Sequence, residues 1–74
     1  MIVHVKLFAS LRKFGPERQT LGFPGPTTID EVVRVLGIPG TIKLLRIVNG
    51  EHRPAEELLR DGDELALFPP IAGG

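Results

Sequence analysis

The residues best placed for chemistry occupy the last six positions, Pro69, Pro70, Ile71, Ala72, Gly73 and Gly74. A terminal carboxylate is ionised at neutral pH and can act as a nucleophile toward an activated phosphate, so Gly74 offers a handle for acyl chemistry. Gly73 and Gly74 lack a Cβ, and together they make a thread thin enough for a narrow channel and free to take the backbone angles it imposes. Pro69 and Pro70 lack amide donors, so a strand ladder cannot continue through them. Their fixed φ predicts an extended segment advancing about 3.1 Å per residue. Residues 69–74 are therefore expected to form a tail that projects from a folded body of residues 1–68, with Pro69, Pro70, Ile71, Ala72 and Gly73 threading into another protein. An incidental frayed end is the competing explanation for any terminus; the proline brace and the small Ala72 argue against it.

The body offers little reactive equipment. The sequence has no cysteine, one serine (Ser10), and two histidines, His4 and His52, with no motif around either. A catalytic triad cannot be assembled from these residues, so no catalytic residue is assigned and the chain is not expected to be an enzyme. No metal site is expected either. Both histidines read as surface residues, and Asp61-Gly62-Asp63 lacks the further oxygen ligands of a calcium loop and reads as a turn. Gly22-Phe23-Pro24-Gly25 and Gly37-Ile38-Pro39-Gly40 have the spacing of a nucleic-acid backbone clamp, but their apolar, proline-bearing centres make them turns.

Composition narrows the class. Seventy-four residues, 42% hydrophobic and 24% charged, suffice for one domain with a thin core. Without cysteine the core has no disulfide or thiolate metal to support it, and a reducing cytoplasm is the simplest location. The N-terminal apolar run is interrupted by His4 and Lys6, unlike a signal peptide or a membrane span. Zero net charge argues against nucleic acid as a partner. The charges are unevenly distributed, however. Residues 1–48 carry seven Lys and Arg against three acids, and residues 49–74 carry two against six. On this count the tail is expected to leave from an acidic stretch, which would suit a partner with a basic docking surface, although charge blocks this short are more often ordinary solvated faces.

The elements that must position the tail follow from periodicity. Val3, Val5 and Leu7 alternate with His4, Lys6 and Phe8, which predicts a strand over residues 2–8. Residues 9–16 form a connection, and residues 18–23 a second strand paired with the first. Thr28 and Glu31 have the spacing of a capping box. Ile29, Val32, Val33 and Leu36 make the apolar stripe of a helix that Gly37 and Pro39 terminate. Residues 44–48 form a third strand leading into the hairpin signal Asn49-Gly50. A brief return strand over 51–54 and a single helical turn over 55–59 follow, and the last strand spans residues 64–68 with Leu65 and Leu67 inward. The expected class is α+β, a mixed sheet with one face covered by one main helix and with the first and last strands side by side in parallel.

VKLFASLRKFG near the start, VNG at 48–50, DGDELALFPP at 61–70 and the final GG together resemble the MoaD/ThiS family of ubiquitin-like sulfur carriers. The resemblance covers nearly the whole chain and implies the β-grasp fold. It also implies that an ATP-dependent activating enzyme adenylates Gly74. Sulfur from a persulfide donor, such as that of a cysteine desulfurase, then displaces AMP to leave a thiocarboxylate. No cofactor would be permanently bound. LFPP and LFASLRKFG resemble MoaD, the small subunit of molybdopterin synthase, so that synthase's large subunit would receive the sulfur. IAGG is equally compatible with ThiS and a thiazole synthase, and a modifier that acylates lysines is a further alternative. Strand parity places Phe8 and Phe68 on the face away from the helix, and the resemblance matches both to an aromatic, partner-facing surface. A cross-strand pair that only stiffens the sheet would use the same two residues.

Overall fold

The structure is a computed structural model that describes residues 1–70. The strands are β1 (Ile2–Leu7), β2 (Arg18–Gly22), β3 (Leu45–Val48), β4 (Glu51–His52) and β5 (Asp63–Phe68), and the helix α1 (Ile29–Val35) lies between β2 and β3 in sequence. They form one sheet in the order β2-β1-β5-β3-β4. β1 and β5 are parallel, and the other pairs are antiparallel.

The period-two pattern sets the two faces. Val5 stands beside Leu65 and Leu7 beside Leu67, and all four are buried on one face together with Val3. α1 covers that face with Ile29, Val32 and Val33, and Leu11, Ile38, Val48 and Leu59 complete the core. Fully burying one such side chain contributes roughly 1.5–3 kcal/mol. Among the described residues no helix is long and apolar enough to cross a membrane.

The capping box forms as expected. The Glu31 amide donates to Thr28 Oγ1 at 3.1 Å, and the Thr28 amide donates to Glu31 Oε1 at 3.4 Å. Two further first-turn amides find tertiary partners. Ile29 donates to the Glu57 carbonyl at 3.0 Å and Asp30 to that of Ala55 at 2.9 Å. The single turn expected over 55–59 is present only at its start, where the Glu57 amide donates to the Pro54 carbonyl at 3.1 Å. The segment gives its carbonyls to α1 and forms an isolated bridge from Leu58 to Thr28. The connection over 9–16 also differs, because Ala9–Phe14 is a 3-10 helix that buries Leu11. It begins at Ala9 with φ 52°, a left-handed angle that turns the chain sharply after β1.

Two turns fix the strand register. Asn49 and Gly50 have φ 50° and 86°, the double positive φ of a tight hairpin turn joining β3 to β4. Gly62, at φ 87°, donates its amide to the Ile2 carbonyl at 2.7 Å, and the Ile2 amide donates to Asp61 Oδ1 at 2.6 Å. The start of β5 is thereby tied to the start of β1, which determines what meets at their other ends.

Candidate functional site

The Phe8 amide donates to the Leu67 carbonyl at 3.2 Å and carries the β1–β5 ladder one residue past the end of β1. With Leu7 opposite Leu67, Phe8 falls beside Phe68. The two rings stack with centroids 4.2 Å apart and 12° between their planes. Antiparallel pairing adds Leu45 opposite Phe68 and Ile47 opposite Ala66 on the same face. Phe8, Leu45, Ile47, Ala66 and Phe68 are each half-buried, forming an apolar patch on the side of the sheet that α1 leaves uncovered. The sequence pattern identifies Phe8 and Phe68; Leu45 and Ile47 depend on a β3–β5 register that a single sequence does not supply.

β5 ends at Phe68. Pro69, half-buried, and Pro70, exposed, follow it outside any strand, as expected of residues that cannot donate to a ladder. The remaining tail residues Ile71, Ala72, Gly73 and Gly74 lie outside the described residues. The chain therefore passes from β5 into Pro69 and Pro70 directly beside the aromatic stack.

The charge around this exit is the reverse of the sequence expectation. Asp61 and Asp63 precede Phe68 in sequence, but β5 carries them away by about 3.3 Å per residue, to the opposite end of the sheet. There they accept hydrogen bonds from backbone and side-chain amides. Asp63 Oδ2 accepts from the Arg60 amide at 2.7 Å, and Asp63 Oδ1 accepts from Asn49 Nδ2 at 2.9 Å. Glu51 and Glu57 pair with Arg53. The exit is lined instead by cations. Arg18 lies opposite Lys6 near the end of β1, Arg12 and Lys13 stand on the 3-10 helix that follows Phe8, and Lys43 precedes Leu45 by two residues. Arg46, opposite Leu67, donates from Nη1 to the Leu44 carbonyl at 3.3 Å. The acidic neighbourhood expected of the tail belongs to the far end because sequence proximity is not spatial proximity along an extended strand.

The histidines stay apart. His4 is exposed on β1 with Nδ1 3.2 Å from Thr20 Oγ1, and His52 is exposed on β4, three strand spacings away. Among the described residues no group of three His, Cys, Asp or Glu is placed to hold a metal ion.

Comparison with known proteins adds family information. A family model described as the ThiS family matches residues 5–74. A molybdopterin synthase sulfur carrier subunit of Haemophilus influenzae is 47% identical over 32 residues, which are 43% of this chain and 40% of that protein. The match thus spans less than half the length of that relative. Among solved structures, SAMP1 of Haloferax volcanii, a small archaeal modifier protein, is 30% identical with a TM-score of 0.74, each chain covered in full. Subunits 1 and 2 of the molybdopterin-converting factor from Helicobacter pylori 26695 have been solved as a complex. One chain of it aligns over 100% of both lengths at 22% identity and a TM-score of 0.64, a likeness of fold. The shared architecture is the ubiquitin-like β-grasp.

Proposed function

This chain belongs to the ThiS family, and from that membership we propose that it is a sulfur carrier whose Gly74 is adenylated and converted to a thiocarboxylate. A carboxylate oxygen of Gly74 attacks the α-phosphorus of ATP on a separate activating enzyme, and pyrophosphate leaves. A persulfide sulfur attacks the resulting acyl carbon and AMP departs. A thiol then takes up the donor's side of the S–S bond, so that the sulfur stays on Gly74 as the thiocarboxylate. Each bond made to the terminal carbonyl belongs to a partner's active site, so the chain acts as a carried substrate.

The observation that carries this reading is the family match, which runs through to Gly74. The site geometry is consistent with it. Pro69 and Pro70 end the ladder beside the stacked Phe8 and Phe68, so a partner that grips the aromatic patch already holds the base of the tail. The relative named as a molybdopterin synthase sulfur carrier subunit favours that synthase's large subunit as the sulfur acceptor, over a thiazole synthase. The test is ATP–pyrophosphate exchange with the activating enzyme of the source organism. Exchange is expected with this chain and not with a variant carrying one extra residue after Gly74. Equal exchange from both would reject Gly74 as the adenylated residue.

The 30% identity to a protein named as a small archaeal modifier favours a second use of the same adenylate, acylation of a lysine amine on a target protein. Isopeptide-linked adducts of the tagged chain in cells would demonstrate that use, and free thiocarboxylate without adducts would exclude it.

A further inference from the structure

We propose that the end of the sheet from which the tail leaves is a cationic docking surface for a carboxylate-lined face of the adenylating enzyme, with Lys13, Arg18 and Lys43 as its recognition charges; the identity of that partner rests on the function proposed above. The inference starts from placement. Arg18 opposes Lys6 at the end of β1 that leads into Phe8. Lys13 stands on the 3-10 helix starting directly after Phe8, and Lys43 precedes Leu45, the residue opposite Phe68. Three exposed cations from three separate segments thus border one apolar patch.

Ion pairing separates them from Lys6 and Arg12, while Arg46 and Arg60 likewise form no ion pair among the described residues. Arg12 is paired with Glu17 at 3.2 Å and Lys6 approaches Glu64 at 3.9 Å, whereas Lys13, Arg18 and Lys43 form no ion pair among the described residues. The Lys13 ammonium sits 5.3 Å from the centroid of the Phe14 ring, a contact that leaves its charge uncompensated. Asp61 and Asp63, meanwhile, are taken up by hydrogen bonds at the opposite end of β5. A chain of zero net charge is therefore polarised along its strands, with the positive end at the tail. An apolar centre rimmed by uncompensated charge of one sign is the anatomy of a protein interface, and rim charges act chiefly on association rate and orientation. Attraction to carboxylates on the enzyme would present the tail-bearing end first. Single-stranded RNA also meets aromatics and cations, but here each phenylalanine ring already stacks on the other and Glu64 lies on the same face, so a protein is the better fit.

The test measures association rates by stopped flow between the full chain and the purified adenylating enzyme of the source organism. The triple variant K13E/R18E/K43E is expected to associate at least about tenfold more slowly at low ionic strength. Most of the difference should vanish near about 0.5 M salt, where screening shortens the range of the field to a few ångströms. The neutral variant K13Q/R18Q/K43Q should fall between the two, and matching circular dichroism melts will establish that all three fold. A reversed variant that associates as fast as the parent chain, or faster, overturns the proposal. So does tighter binding of the parent chain to a single-stranded RNA oligonucleotide than to the enzyme. Pyrophosphate release from the same mixtures reports adenylation separately. Salt-sensitive association without release would reject the proposed function and leave the docking surface standing, while release with salt-insensitive association would do the reverse.

Discussion

Replacing Phe68 with alanine separates a docking role from a structural one. In the free protein the Phe68 ring is half-buried and stacked on Phe8 at 4.2 Å. Such pairs contribute about 0.5–1.5 kcal/mol beyond their buried area. Full burial of a phenylalanine is worth roughly 1.5–3 kcal/mol. If folding already buries half of the ring, a partner that covers the rest gains about 1 kcal/mol from it, close to a fivefold change in Kd. Phe68→Ala should therefore lower stability by about 1–2 kcal/mol and also weaken binding to the activating enzyme about fivefold. The assay combines urea unfolding with calorimetric titration on the same preparations, at a temperature where every variant is fully folded. Phe8→Ala and the double variant complete a cycle, and the pair's coupling should appear in stability as about 0.5–1.5 kcal/mol. Loss of stability with unchanged Kd would show that the stack only braces β1 against β5, and the docking role would be withdrawn.

Three other substitutions address the scaffold. Thr28→Ala removes the capping-box acceptor of α1 and should cost about 1 kcal/mol in urea unfolding, leaving adenylation unchanged. Gly62→Ala adds a Cβ that meets nothing within 4 Å, so its cost is that of the left-handed backbone alone. Set against reduced freedom of the unfolded chain, that is a net loss of about 1 kcal/mol, seen as a lower urea midpoint. Ala9→Gly should do the opposite, because Ala9 already sits at φ 52°. Release from that angle outweighs the added unfolded-state entropy by about 0.5–1 kcal/mol, which would raise Tm by a few degrees.

Much of this architecture is local in origin and therefore legible in the sequence. Thr28 and Glu31 form the expected capping box, Asn49-Gly50 makes the expected hairpin turn, and the alternation through Leu7 and through Leu67 assigns the two sheet faces. Those same alternations put Phe8 and Phe68 on the uncovered face, and their meeting required only that β1 and β5 be neighbours. What the sequence hides is tertiary. Residues 55–59 have a helix-like composition, yet only one turn closes there, the Glu57 amide donating to the Pro54 carbonyl at 3.1 Å, and α1 takes the Ala55 and Glu57 carbonyls for its own first-turn amides. The 3-10 helix depends on a left-handed alanine, for which no residue preference gives warning. The sign of the charge beside Phe68 is hidden too, because a count along the chain ignores the length of β5, which moves Asp61 and Asp63 to the far end while β2 and the 3-10 helix bring cations to the near one.

The proposed function depends on the terminal carbonyl of Gly74 being activated by another enzyme and then carrying sulfur. The direct measurement is the intact mass of the chain after incubation with ATP, the activating enzyme and a persulfide donor. The account predicts replacement of one oxygen by sulfur, located to Gly74 by fragmentation and abolished when ATP is omitted. A mass left unchanged while the enzyme turns over ATP on a known carrier would contradict it.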